Sequence, residues 1–529
     1  MIKISPDIDT LDVSALKDLL VCVLEEQARL TSENAALRKE NARLKGLKGK
    51  PDIKPSKPSG MDKATETKGD KGQDRKRGRR RAKRHPAEQE RLIVKASNVP
   101  QGSRFKGYET FTVQDLVIKA RAIHYQCERW LTPGGRTVTA PLPDGIDGHF
   151  GPELKRFILV QYHQGQTTIP RLVALLDGLG LGISERQIVR ILTQGKEAFI
   201  EESRDVLRAG LSGAGDGWIS VDDTGARHKG RNGYCTQIGN DRFTFFATTT
   251  SKSRLNFLSL LCAGHKEYVL NDAAFDYMRK HNLSSKVIGL LVGHGARHFN
   301  DETDWSAHLK SLGISEMKVT PNPVNIATQG ALWGVIVEHG FLDGMVIVSD
   351  GAGQFNVNLH ALCWVHAERL IYKLETFTEV ARQAKEAIRD KLWCLYADLK
   401  DYKELPSRTQ RREFERRFDN LFTTETGFVT LDRLLARLHA NKAKLLCVLD
   451  HPDIPLHTNG SENDIRCQVT RRKVSGTTRS DQGRDCRDAF LGLMKTCQKL
   501  GISFWDYLGD RLGVNPATVP KLADLVAAP

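Results

Sequence analysis

No two of the ten cysteines in this 529-residue chain stand as a CxxC pair, which excludes a ribbon-type zinc site and argues against a disulfide framework. A reducing compartment fits that usage. The N-terminus, MIKISPDIDTLD, lacks the basic and apolar segments of a secretory signal, so no export is expected and a cytoplasmic location is. Long apolar runs are missing too. The longest uncharged window, Val319 to Val337, is broken by Pro321, Asn322, Pro323, Asn325 and Gln329. It reads as a loop followed by a buried helix, and no membrane partner is expected. Acidic residues are in deficit, 64 against 79 Lys plus Arg, and the net charge of +15 favours a polyanionic partner, most commonly nucleic acid. A hydrophobic fraction of 40% supports several globular domains and excludes wholesale disorder.

Leu16, Val23, Leu30, Leu37 and Leu44 recur every seven residues, with Val13, Leu20, Gln27, Asn34 and Asn41 in the second register. Polar Asn34 and Asn41 favour a two-stranded parallel coil, so residues 1–48 are expected to form a coiled-coil dimerisation helix and the protein a homodimer or higher homo-oligomer. An amphipathic helix packed on its own domain is the competing reading. Residues 49–90 are expected to be a disordered basic linker, because Lys, Pro, Ser, Gly and Asp offer little to offset ordering entropy. Within it Arg75, Lys76, Arg77, Arg79, Arg80, Arg81, Lys83 and Arg84 form a tract suited to DNA phosphates, or simply a solvated charge run.

Alternation in RLIVKA, TFTVQDLVIKARAIHYQC and RTVTAPLP predicts a small β module over 91–150. His124 and Cys127 read as core or surface residues there, since no paired thiols lie upstream. Residues 151–210 read as helices. Ser184 and Gln187 match a capping box opening the helix QIVRILTQ, and with the preceding helix they resemble a helix-turn-helix. That would present Arg186, Gln187 and Arg190 to DNA; a plain helical hairpin is equally compatible.

After Gly215 the chain turns to strands. GWISVDDTG carries Asp222 and Asp223 at the end of an apolar run, and NGYCTQIGNDRFTFFATTT supplies two more strands joined at Gly239-Asn240-Asp241. A second apolar run, Gly344 to Ser349, ends at Asp350 and breaks at Gly351-Ala352-Gly353. The third element, HTNGSENDIRCQVTRRK, predicts a helix from about Asn459. Spacings of three and four put Asn459, Glu462 and Arg466 on one face, whereas Asp464 points elsewhere. Three carboxylates gathered in a partly buried site repel one another unless divalent cations compensate. Oxygen ligation suits Mg²⁺, with Mn²⁺ as substitute, and a pair of such ions suits in-line displacement at phosphorus.

These residues resemble the DDE transposases of the insertion sequence 66 family. The motifs are Asp222-Asp223-Thr224, VSDG with Asp350, Cys363-Trp364-Val365-His366-Ala367-Glu368-Arg369, and Asn459-Gly460-Ser461-Glu462-Asn463-Asp464-Ile465-Arg466. The resemblance implies an α/β fold with an RNase H-like mixed-sheet core over 211–480, two-metal catalysis, and double-stranded DNA as partner: terminal inverted repeats and target. By it Asp222, Asp350 and Glu462 are the catalytic, metal-holding acids, and Asp223, at a position usually Glu in the family, takes a supporting role. Arg466 contacts phosphate or orients Glu462, and His366 is either functional or structural. Of the two cysteine pairs that many members of the family carry, this chain keeps only Cys127, with Trp130 at the position of its expected partner, so zinc is not expected.

The helical periodicity from Val365 to Val448 predicts an all-helical insertion at about 365–450. Beyond Glu462 the basic TRRKVSGTTRSDQGRD, with Arg471, Arg472 and Lys473, is expected to line the DNA channel. Residues 481–529 read as a C-terminal helical extension. The expected activity is Mg²⁺-dependent strand cleavage and strand transfer, with accessory proteins of the element as further candidate partners. The rival readings are a catalytically inactive DNA-binding regulator or architectural dimer, and a metal-dependent nuclease without joining activity.

Overall fold

The computed structural model describes residues 90–143, 146, 148–212, 217–514 and 518–528. The heptad segment 1–48 and the tract containing Arg75, Lys76, Arg77, Arg79, Arg80, Arg81, Lys83 and Arg84 lie outside those residues. The chain divides into two units, Met1–Val117 and Ile118–Pro529. In the first, the described residues from Glu90 onward form no helix or strand. In the second, the hairpin of β1 (Arg129–Leu131) and β2 (Thr137–Thr139) is the one β element before the helices, among the described residues. The strands expected over RLIVKA and TFTVQDLVIKARAIHYQC do not form. A strand needs a paired edge and a covered face, whereas Phe111 is 89% exposed and no described sheet pairs with the segment.

Four helices follow, α1 (Pro152–His163), α2 (Ile169–Gly178), α3 (Glu185–Thr193) and α4 (Glu197–Leu211). Ser184 caps α3, its hydroxyl accepting from Gln187 N at 3.3 Å. Ile158, Leu172, Leu176, Ile188 and Ile191 close a three-helix core that continues without a break into the later helices. His163 stacks on Phe490 at 4.5 Å, Phe199 meets Phe490 at 4.8 Å, and Arg156 lies 4.1 Å over Trp505. Residue 210 is therefore no boundary in the core.

The sheet begins with β3 (Trp218–His228), β4 (Arg231–Gly239) and β5 (Thr244–Thr249), an antiparallel meander as the alternation predicts. Asn240 makes the expected turn, its side-chain oxygen accepting from Arg242 N at 2.8 Å. A helical insertion comes next: α5 (Arg254–Leu261), β6 (Tyr268–Val269), α6 (Asp272–Lys280), α7 (Ser285–Gly293), β7 (His298–Phe299), α8 (Glu302–Ser311) and α9 (Pro323–Glu338). It has its own core of Phe275, Met278, Leu291 and Trp305. The uncharged window does begin as a loop and become a buried helix, α9. Gly334 lets α9 approach β6, because a Cβ there would lie 2.2 Å from the Val269 carbonyl oxygen.

The chain returns to the sheet as β8 (Val346–Ser349), parallel to β3, and β9 (Leu359–Leu362), parallel to β8, giving the order β5-β4-β3-β8-β9. The second insertion follows, helical as expected: α10 (Trp364–Tyr372), α11 (Glu379–Glu404), α12 (Arg408–Phe422), α13 (Val429–His439) and α14 (Lys442–Leu445). On α12, Arg411 pairs with Asp450, Arg416 with Glu413 and Arg417 with Asp398. That surface neutralises much of its own charge.

The last helices are α15 (Asn459–Ser475), α16 (Asp481–Lys499), α17 (Phe504–Arg511) and α18 (Leu522–Ala527). α15 packs on β3 and β4, and α16 on β5, burying Phe490, Leu491 and Leu493. The residues after 480 are thus part of the core of the sheet domain rather than an extension of it.

Candidate active site

Register decides where the acids meet. Ser220 on β3 pairs with Val348 on β8, so Asp222, within β3, and Asp350, just past the end of β8, each two residues further on, stand level where the parallel pairing of the two strands stops. Such strands run about 4.8 Å apart. Because side chains alternate, Asp222 shares its face with Ser220, and Ser220 hydrogen-bonds Ser461 of α15. That contact seats the first turn of α15, with Glu462 next to Ser461, over the same end of the sheet. Gly351, at φ 96°, turns the chain away immediately after Asp350, a conformation suited to glycine. The Asp350 carboxylate accepts from Ala352 N at 2.9 Å.

Burial pushes the Asp222 carboxyl up from its ordinary value to about 6. A hydrogen bond from Asp223 N, 2.8 Å long, opposes that rise, while the charges of Asp350, Asp223 and Glu462 add to it. Asp350 and Glu462 are therefore close enough to resist ionisation of Asp222. Glu462 sits among cations: His366 Nε2 at 3.6 Å and Arg369 at 3.7 Å from Oε1, and Arg466 at 3.8 Å from Oε2. Even so, Oε1 is buried without a hydrogen-bond partner. An anionic cluster with an orphaned buried carboxylate oxygen fits a divalent cation, which supplies both the charge and the missing contact.

Asp223 faces the other way. Lys252 forms an ion pair with one of its oxygens, and Gln354 Nε2 donates to the other at 2.7 Å. His366 is held by the Thr458 hydroxyl at 3.4 Å and by Arg369 at 3.2 Å. Its hydrogen bond with Cys363 raises its basicity against the opposite pull of burial. Burial opposes ionisation of the Cys363 thiol, but hydrogen bonds with His366 and Thr458 outweigh it and hold the thiol below its ordinary value. Lys252, Gln354 and Arg369 were not singled out from sequence. Arg369 had a signal, three residues beyond His366 in the same motif; Lys252 reaches Asp223 from a loop and Gln354 from the short 3-10 turn Gly353–Phe355, and neither had one.

A family model described as Transposase IS66 family matches residues 336–485, a span that holds Asp350, the CWVHAER motif and Glu462. An uncharacterized protein of Sinorhizobium fredii, y4jO, is 50% identical over 323 residues, covering 61% of this chain and 99% of that protein. The chain belongs to the IS66 transposase family. Transposase function and DNA as the substrate class follow at that level. Among the described residues of this transposase, no helix is long and apolar enough to cross a membrane.

The residues expected to contact DNA fare unequally. Arg186 and Arg190 are exposed on α3 and Gln187 is half-buried, while Ile188, Ile191 and Leu192 face inward. Arg471 is a correction: it is 1% exposed, with its guanidinium 3.4 Å over the Tyr162 ring, so it locks α15 to α1 and cannot reach a phosphate. Arg472 donates to the Gly225 carbonyl of β3. Lys473 is exposed, as are Asn459 at the start of α15 and Arg466, which also donates to Asn463 at 2.7 Å.

Asp464, two residues from Glu462, points into the protein. It pairs with Lys499 at 2.6 Å and accepts from the Thr244 hydroxyl at 2.8 Å. The two acids are separable by experiment. Asp464→Asn should cost about 2 kcal/mol in chemical denaturation, as expected for a buried charged hydrogen bond. Glu462→Gln should leave stability within about 0.5 kcal/mol of wild type, since relief of repulsion from Asp222 and Asp350 offsets loss of the long contacts with His366, Arg369 and Arg466.

The lowered acidity of Asp222 carries a pH signature with a definite sign. The folded metal-free transposase holds this proton more tightly than the unfolded chain, so the stability linked to it is complete below about pH 4 and lost as pH rises through about 6. Without metal, Asp222→Asn should unfold later than wild type at pH 8, by an effect of order 2 kcal/mol, and no later at pH 3.5. Thermal unfolding in EDTA across that range is the measurement.

Proposed function

We propose that this transposase cuts DNA at the ends of its element, leaving 3′-hydroxyls, and joins those ends to target DNA, using Asp222, Asp350 and Glu462 on an RNase H-like core. The observation that carries this is the level placement of Asp222 and Asp350 with Glu462 above them, close enough that both suppress ionisation of Asp222. The three acids would hold two Mg²⁺, with Mn²⁺ as substitute; bound ions supply activation of the attacking oxygen and stabilisation of the leaving one.

The chain's own residues divide the remaining work. Asp222 within β3 and Asp350 just past the end of the adjacent β8 would present carboxylate oxygens, and Glu462 would close the set from α15. His366 and Arg369 hold Glu462 in place, and Arg466 is positioned to meet a phosphate. Asp223, fixed by Lys252 and Gln354, donates its backbone N–H to Asp222 and so orients it. In cleavage a water oxygen would bond to phosphorus as the bond to the element end's 3′ oxygen breaks; in joining that freed 3′-hydroxyl would attack a target phosphorus and displace the target's own 3′ oxygen from it, which leaves as a 3′-hydroxyl. Arg186, Gln187, Arg190 and Lys473, with the basic tract, would track the DNA backbone and are expected to confer salt-dependent binding. The heptad segment would pair two copies.

Purified protein, Mg²⁺ and labelled element-end DNA with a supercoiled target test the proposal. Joined products that require a free 3′-hydroxyl are expected. Cleavage without joining would favour a nuclease, and binding without either would favour a regulator.

A further inference from the structure

Away from the acidic site, two histidines and a glutamate converge where α5, β6 and α9 meet. His265 follows the turn that ends α5, Glu267 immediately precedes β6, and His339 follows α9. Glu267 Oε1 lies 3.1 Å from His265 Nδ1 and 2.7 Å from His339 Nε2, and all three donor atoms lie within 4.8 Å of one another. The imidazoles stack with centroids 3.6 Å apart. We propose that His265, Glu267 and His339 form a zinc site, distinct from the carboxylate cluster and independent of the role assigned to that cluster.

The donor set selects the ion. Two imidazole nitrogens with one carboxylate suit Zn²⁺ and are poor for Mg²⁺, which prefers oxygen alone. Tetrahedral zinc with bonds of about 2.0–2.2 Å separates its donors by roughly 3.3 Å, so the Glu267 carboxylate, which contacts a nitrogen of each ring, draws back and the stacked rings splay until each ring plane contains the ion. The scaffold is fixed before any ion arrives. His265 N donates to Cys262 O and His339 N to Val335 O, both at 3.0 Å. The second oxygen of Glu267 accepts from Lys266 N at 3.1 Å, which orients the carboxylate as an outer-shell partner would. Each of the three side chains is about one-third exposed, so water can enter and take the fourth position. A bound ion would clamp the turn after α5 to the end of α9, which leads into β8 and Asp350.

The test uses the full-length protein, stripped with EDTA and held in excess Mg²⁺ to occupy the oxygen-rich site. Co²⁺ is added as the spectroscopic probe and Zn²⁺ for stoichiometry. One tight site per chain is expected, with the visible spectrum of tetrahedral cobalt and a rise in unfolding temperature on adding zinc. His339→Ala should weaken zinc binding at least about 100-fold and erase that rise. If His339→Ala does not fold, Glu267→Gln, which keeps the side chain's shape, decides in its place. Unchanged zinc uptake in the folded variant, an octahedral cobalt spectrum, or no uptake by wild type overturns the proposal.

Discussion

Replacing Asp350 with asparagine is expected to reduce Mg²⁺-dependent DNA cleavage and joining by at least about 1,000-fold, corresponding to about 4 kcal/mol of lost transition-state stabilisation. The substitution keeps the side chain's shape and its hydrogen bond from Ala352 N, so the strand end is not disturbed. What goes is one of the anionic oxygens facing Asp222. Binding to element-end DNA should remain within a few-fold of wild type, because no basic residue is altered. Single-turnover cleavage and a gel-shift titration on the same preparation separate the two effects. Retained cleavage would remove Asp350 from the mechanism, and loss of both activities would indicate misfolding.

Trp364→Ala should produce the largest loss of stability, about 4 kcal/mol, a large share of what a domain has to spare. The indole is fully buried, with its ring 6.1 Å from that of Phe418 and 6.4 Å from that of Phe422, and it donates to Leu445 O at 2.9 Å. Its backbone N donates to Leu456 O at 3.0 Å, so one residue ties α10 to the segment leading into α15. Truncation leaves a cavity and an unpaired carbonyl, and loosens the links to His366 and Glu462. Urea unfolding should show the change, with early protease cleavage within 364–449. Val380→Ala, at an exposed position in the first turn of α11, should change stability by no more than about 0.5 kcal/mol.

Much of the acidic site was legible in the sequence because its cues are local. An apolar run ending at Asp222, another ending at Asp350 beside glycines, and a helix whose three-four spacing separates Glu462 from Asp464 each say where a side chain points. Strand register, which sets Asp222 level with Asp350, is a long-range property that no local cue supplies. The β module was over-read because alternation around Phe111 and Val113 signals strand only where a partner edge exists. Arg471 misled for a related reason: a cation in a basic stretch reads as solvent-facing, yet its position on α15 turns it onto the ring of Tyr162, some three hundred residues earlier. The insertion between β5 and β8 was legible mainly at α9, whose uncharged run is long enough to mark burial. The zinc-type cluster was invisible, since two of its ligands are close in sequence and the third lies far downstream.

The central claim is that Asp222, Asp350 and Glu462 together hold divalent cations. Diffraction from crystals of the transposase soaked in Mn²⁺, recorded at the manganese absorption edge, tests it most directly. Two anomalous peaks about 3.5–4 Å apart, each bonded to Asp222 and one of the other two acids, are predicted, and both should vanish in Asp222→Ala. Density showing the three carboxylates free of manganese at millimolar Mn²⁺, or manganese bound without Asp222, would contradict the account.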